Sequence, residues 1–200
     1  YCMEGVNKMP KIAVGEQFPD LKFETFRGEH STVKQAIASQ KLTVFWLMRF
    51  IGCRFCQYDL DLLAEKYAAF TEKGAKVYVI LQSTEDSISG LKGDFSLPYE
   101  IICDAEHVFY KTLDVRATAT KQERMPATEE RMELWREKKA AVEEKHYPHK
   151  SDEGEAQQLP ALFMVGPDGA VRYAHYAVDS IDIPSIDEML QLVDELTAQK

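Results

Sequence analysis

LTVFWLMRFIGCRFCQYDLDLLAEKYAAFTEK, residues 42–73, joins two kinds of periodicity. Leu42 to Met48 is apolar at almost every position, as a strand buried on both faces of a covered parallel sheet must be. After the cysteines the pattern changes: Tyr58, Leu60, Leu63, Ala64, Tyr67 and Phe70 recur at helical spacing, and Gly74 supplies a left-handed stop. The junction carries Cys53-Arg54-Phe55-Cys56. Two intervening residues hold the sulfurs close enough to close a disulfide ring. A helix N-terminus offers unpaired amides and the positive end of its dipole, which together stabilise a thiolate. A thiolate, unlike a thiol, attacks disulfides and peroxides. Arg54 adds a cation between the two sulfurs. The expected chemistry is therefore reversible oxidation of Cys53 and Cys56.

Downstream, Lys76–Leu81 (KVYVIL) reads as a second buried strand, neighbouring the first through a right-handed strand–helix–strand unit. Tyr99–Cys103 is strand-like, and Asp104 is placed to cap a helix reaching about Leu113. Leu162–Val165 and Ala170–Tyr176 flank Gly166-Pro167-Asp168-Gly169, a hairpin signal. Ser185-Ile186-Asp187-Glu188 is a capping box opening a terminal amphipathic helix. Upstream, residues 1–20 read as an irregular arm, Leu21–Phe26 as a short strand turning at Arg27-Gly28, and Ser31–Lys41 as a short helix. From about 116 to 158 the composition shifts to charged helix formers, which suggests an insertion within one domain spanning 1–200. Its helix, from about Thr128 to Lys145, would dock a stripe of Met132, Trp135 and Val142, and His146–Gln158 would be a mobile polar loop.

Two hundred residues with 45% hydrophobic content suffice for one domain with a real core. A net charge of −9, a pI near 5.1 and the lack of a basic cluster argue against a nucleic-acid surface. The apolar run breaks at Arg49, short of the roughly 18 residues a membrane span needs. Four cysteines, Cys2, Cys53, Cys56 and Cys103, are too few for a disulfide-stapled secreted scaffold, so a cytoplasmic location is expected. The chain begins at Tyr1, which is compatible with a removed upstream signal. Half of a zinc site is the competing reading of the cysteine pair, with His146 and His149 as candidate partners. Their loop is proline-bent and charged, so no metal and no cofactor is assigned. Cys103 and Trp46 read as core residues; Cys2, His107, His175, Tyr173 and Tyr176 carry no assigned role.

The order of dithiol, helix and strand, followed by Leu159-Pro160-Ala161-Leu162-Phe163 and the GPDG hairpin, resembles the peroxiredoxin-like branch of the thioredoxin superfamily. More closely, it is similar to the alkyl hydroperoxide reductase/thiol-specific antioxidant relatives that carry a CxxC, over roughly residues 10–196. The resemblance implies an α/β, thioredoxin-like fold: a central mixed sheet flanked by helices, with the charged helical segment inserted. It also implies that Pro160 is a cis-proline facing the cysteines. The departures are specific. Aligning Cys56 with the peroxidatic cysteine of the family's Pro-x-x-x-Thr-x-x-Cys puts Arg49 at the proline and Cys53 at the threonine. A second family arginine falls at Pro160.

Two orders of attack remain open. By thioredoxin logic Cys53, at the exposed cap, attacks and Cys56 resolves; by the family alignment Cys56 is oxidised to a sulfenic acid and Cys53 condenses with it. The incomplete peroxide-activating set favours Cys53, with Arg49 as a cation shifted in register. The expected activity is a thiol-dependent antioxidant oxidoreductase that reduces protein disulfides, with hydroperoxides as further substrates. Its partners would be a thiol reductant or a disulfide-bearing protein. The rival is a non-catalytic interaction module whose cysteines are vestigial or bind metal.

Overall fold

A computed structural model of the chain describes residues 11–92, 97–150 and 153–198. Strands β1 (Lys22–Glu24) and β2 (His30–Thr32) pair antiparallel. Helix α1 (Val33–Ile37) follows, capped by Thr32 in a reciprocal box with Gln35. Next come β3 (Leu42–Leu47), the 19-residue α2 (Arg54–Glu72) and β4 (Ala75–Leu81). They are followed by α3 (Glu85–Lys92), β5 (Glu100–Cys103) and α4 (Val108–Thr112). Helices α5 (Lys121–Arg124) and α6 (Glu129–Glu144) precede β6 (Ala161–Val165), β7 (Val171–Tyr176) and α7 (Ile186–Ala198). The main sheet has the order β5-β4-β3-β6-β7; β5, β4 and β3 run parallel, whereas β6 and β7 join antiparallel.

The uninterrupted apolar run of β3 is explained by two cores. Leu42, Val44 and Trp46 pack with Leu60, Leu63, Tyr67 and Phe70 of α2 and with Ile186, Met189 and Val193 of α7. Phe45 and Leu47 face the other way, onto Val33 and Ile37 of α1, Phe109 and Tyr110 of α4, and Leu113 at its C-cap. Alternate residues thus serve opposite faces, and both faces are covered by helices. Gly74, at φ +75°, ends α2 where a side chain would be strained. The Ser185–Glu188 box closes as expected: Ser185 N donates to Glu188 Oε2 and Glu188 N to Ser185 Oγ.

The residues from 116 to 158 return to their starting point. Ala117 bridges Gln158, and the buried Gln158 amide donates to the carbonyls of Val115, Arg116 and Leu159. Helix α6 starts at its Thr128 cap, ends at Lys145, and lies against α2. Val142 is buried, Trp135 stacks on Phe55 with ring centroids 5.8 Å apart, and Lys138 pairs with Asp59 at 2.6 Å.

Three expectations need correcting. The described part of 146–158 is anchored rather than mobile: Tyr147 is buried, Gln57 donates to Pro148 O, and Lys150 N donates to Gly52 O. The approach at Gly52 is so close that a Cβ there would stand 2.1 Å from Lys150 O. The Leu159–Pro160 bond is trans, since the described residues contain no cis peptide bond. The chain enters β6 extended, with Leu159 N bonded to Arg116 O and Pro160 O to Ala177 N, so no turn calls for the cis isomer. Helix α4 is shorter than expected and begins after His107 in a left-handed conformation, although Asp104 does accept the N–H groups of Val108 and Phe109. Among the described residues, no helix is long and apolar enough to cross a membrane.

Candidate active site

The chain leaves β3 through a loop pinned on all sides. Met48 N donates to Ile80 O, Gln82 N to Arg49 O, Ile51 N to Ser83 Oγ, and Cys53 N to Phe50 O. Behind it, the Tyr110 hydroxyl lies 2.6 Å from Met48 O and 2.8 Å from Ile80 O. This rigid exit makes Cys53 the N-cap of α2. Its sulfur accepts the Cys56 N–H at 3.3 Å, as a capping oxygen would.

Arg49 supplies the charge. One of its Nη groups donates to Cys53 Sγ at 2.9 Å and the other to Ala156 O, on the inserted segment, at 2.6 Å. The Cys56 thiol also hydrogen-bonds the Cys53 sulfur. That bond, with Arg49 and the backbone amide, overcomes burial and draws the Cys53 thiol down to about 5. Cys56 moves the other way: its bond to Cys53, its burial and the neighbouring negative charge all push it well above the ordinary thiol range. For Arg49, burial is the largest influence and opposes the charge, but Cys53 and Cys56 outweigh it and the pKa is raised. The site brings two sulfurs and a guanidinium together, with the negative charge favoured on Cys53 and the proton on Cys56.

Two expectations about this end of α2 change. Arg54 is exposed and bonds neither sulfur. As the first residue of the helix it stands at the exposed rim of the cleft that holds the cysteines, while Arg49 folds back from the loop onto the sulfur. Nor is the cap exposed: Cys53 is 2% and Cys56 6% accessible, at the base of a cleft of about 970 Å³ between α2, α6 and the 180–186 segment. Pro160 lines this cleft although its peptide bond is trans, as do Trp46, Phe55 and Trp135.

Arg124, on α5, also lines the cleft. Burial and the charge of Arg49 lower its pKa, while the charges of Cys53 and Cys56 act in the opposite sense. Nothing local in the sequence places it there; its position depends on how residues 116–158 return to the main sheet. Cys103 is half-buried, and burial together with Glu85, Glu24 and Glu153 pushes it up to about 12. His149 lines the cleft and His146 is exposed, but no group of three or more His, Cys, Asp or Glu among the described residues is arranged to hold a metal ion. Cys2 lies outside the described residues.

The family model for AhpC/TSA proteins matches residues 14–174, which include the dithiol, the charged segment 116–158 and all of the main sheet but the last two residues of β7. The chain belongs to the AhpC/TSA family. Solved structures share the fold at low sequence identity. A peroxiredoxin 6 variant from Arenicola marina is 18% identical at a TM-score of 0.64, covering 94% of this chain and 76% of its own. The reduced 2-Cys peroxiredoxin of Plasmodium vivax is 13% identical at 0.64, covering 92% and 82%. The peroxidoxin BcpB of Mycobacterium tuberculosis is 11% identical at 0.63, covering 94% and 97%. No curated protein sequence matches the chain. As an AhpC/TSA protein with a thioredoxin-like fold, the chain is a peroxiredoxin-like, thiol-dependent antioxidant oxidoreductase.

Proposed function

We propose that the protein reduces hydroperoxides through a Cys53–Cys56 dithiol cycle, with Cys53 as the attacking sulfur. The observation that carries this reading is the Arg49 guanidinium 2.9 Å from the Cys53 sulfur at the cap of α2. With its pKa drawn down, Cys53 is almost entirely thiolate at neutral pH, against a few per cent for a free cysteine. The thiolate attacks one peroxide oxygen, the O–O bond breaks, and the departing alkoxide takes a proton to leave as the alcohol. Arg49 stands beside the developing oxyanion. The product at Cys53 is a sulfenic acid. Cys56, held protonated alongside, then displaces water to give the disulfide, and two electrons from an external thiol reductant restore the dithiol.

Burial sets the substrate order. A disulfide-bearing protein would have to reach sulfurs 2% and 6% accessible beneath α6, whereas a small hydroperoxide can enter the cleft. The incomplete peroxide-activating set ranks protein disulfides first; on this reading the burial of the sulfurs, with Arg49 beside Cys53, favours small hydroperoxides and makes protein disulfides the secondary substrate. A reducing compartment such as the cytoplasm would keep the pair available as a dithiol.

Stopped-flow consumption of hydroperoxide, run beside insulin reduction under the same dithiol supply, tests the proposal. Peroxide turnover should dominate. Cys53→Ser should abolish it, and Cys56→Ser should leave a single turnover with a dimedone-trappable sulfenic acid on Cys53. Activity that survives Cys53→Ser and disappears in Cys56→Ser would transfer the attacking role to Cys56.

A further inference from the structure

The cleft contains positive charge that the dithiol chemistry does not use. Lys121 and Arg124 are three residues apart on α5, which puts them on one side of that helix, and both line the cleft. The helix is firmly held: Thr120 caps it, Arg124 O accepts Ser180 N at 2.9 Å, and Arg124 Nε donates to Gln157 Oε1 at 3.2 Å. The Nη groups of Arg124 and the ammonium of Lys121 have no hydrogen-bond or ion-pair partner among the described residues. Beside them, Ser180 Oγ is buried without a partner and its residue lines the same cleft.

Most of the cleft's acids are engaged: Asp59 by Lys138, Glu143 by Lys139, and Glu188 by the Ser185 amide. Glu137 alone lacks such a partner among the described residues. In a chain of net charge −9, the unmatched cations Lys121 and Arg124 beside an orphan hydroxyl, with Arg54 a further cation, unpaired among the described residues, at the cleft's exposed rim, mark a place for an anion. The neighbouring walls are apolar and aromatic, with Trp46, Phe55, Leu62, Trp135, Ile183 and Pro184.

We propose that Lys121 and Arg124 bind a carboxylate, with Ser180 donating a hydrogen bond to it, so that the preferred substrate is an organic hydroperoxide with an apolar body and a carboxylate a short distance from the peroxide. This inference rests on the hydroperoxide reading. In it, the insertion selects the substrate while the dithiol carries out the chemistry. Lys121 and Arg124 are specificity determinants: Arg124 stands close enough to feel the charges of Arg49 and the cysteines, and the pair holds the carboxylate while Cys53 and Arg49 act on the reacting oxygens.

The test uses cumene hydroperoxide bearing a para-carboxylate, its methyl ester, and the full-length protein. The wild type should prefer the acid in kcat/KM on the order of 10-fold or more, mostly through KM, as charged hydrogen bonds generally provide. The Lys121→Gln, Arg124→Gln double variant should bring the acid-to-ester ratio close to one, and Arg124→Lys should retain part of it. Because the ratio is taken within each protein, a general loss of activity cancels. Equal use of acid and ester by the wild type, or a ratio that survives the double substitution, would overturn the carboxylate site and leave peroxide reduction standing. If neither hydroperoxide is consumed, the underlying reading fails and this one with it.

Discussion

Cys53 and Cys103 both sit where a parallel strand of the same sheet gives way to a loop, one beyond β3 and the other ending β5, yet their thiols are driven in opposite directions. Cys53 is the more deeply buried yet is drawn down to about 5 by its Cys56 and Arg49 partners; Cys103 is half-exposed and is pushed up to about 12. Burial alone gives the reverse order. What separates them is the company each sulfur keeps. At the head of α2 the sulfur itself occupies the cap, receiving an amide, a thiol and a guanidinium. At the head of α4 a carboxylate, Asp104, takes the free amides, and Cys103 is left among Glu85, Glu24 and Glu153.

The most direct way to break the contrast is to remove Arg49. Arg49→Met should raise the pKa of Cys53 by roughly 1–3 units, the usual influence of an adjacent opposite charge. Thiolate absorbance or the pH profile of alkylation would report it; an unmoved midpoint would mean that the cap and Cys56 suffice without the cation.

Proton linkage sharpens the comparison. A depressed pKa means that the unfolded chain, with a cysteine pKa of about 8.5, holds the proton more tightly than the folded chain between about 5 and 8.5. Stability due to this thiolate is complete above that window and disappears as the pH falls through 5. The gap in unfolding free energy between reduced wild type and Cys53→Ser should therefore widen from pH 5 to pH 8, by at most about 1.4 kcal/mol per unit. For Cys103→Ser the gap should stay flat over that range, because a raised pKa alters proton binding only above about 8.5.

Shielding can be removed separately. Trp135→Ala deletes the ring stacked on Phe55 and should cost about 1–3 kcal/mol in denaturant unfolding while speeding alkylation of Cys53 at fixed pH. Unchanged alkylation would show that α6 does not restrict entry. The smallest effect belongs to Cys103→Ser, within about 1 kcal/mol of wild type and without influence on the dithiol's reaction rate, measured by the same unfolding and peroxide assays.

Local signals gave the frame of the molecule. The apolar run of β3, the spacing along α2, the GPDG hairpin, the Ser185–Glu188 box and the Thr128–Lys145 helix all rest on neighbours in sequence, and all are present. The site was less legible, because its decisive contacts join residues far apart. Arg54 lies between the cysteines in sequence and draws the assignment of charge, but it sits at the exposed rim of the cleft while the loop brings Arg49 onto the sulfur. Ala156 holding Arg49, Arg124 entering the cleft and Trp135 roofing Phe55 depend on where the insertion lands. The depth of the cysteines follows from the same packing. The trans bond before Pro160 is a matter of strand entry, to which a short motif is blind.

The contact between Gly52 and Lys150 ties the history of two separate stretches of sequence together. Any side chain at position 52 would collide with the Lys150 carbonyl, so the returning segment can rest there only while glycine is retained next to Cys53. Conversely, excising residues 117–157 would strip Arg49 of its Ala156 acceptor and Gln57 of Pro148, rather than reveal a simpler ancestor with the site intact. The two stretches form one heritable unit: relatives that keep the segment should keep the glycine, and those that lost it should be free to vary there.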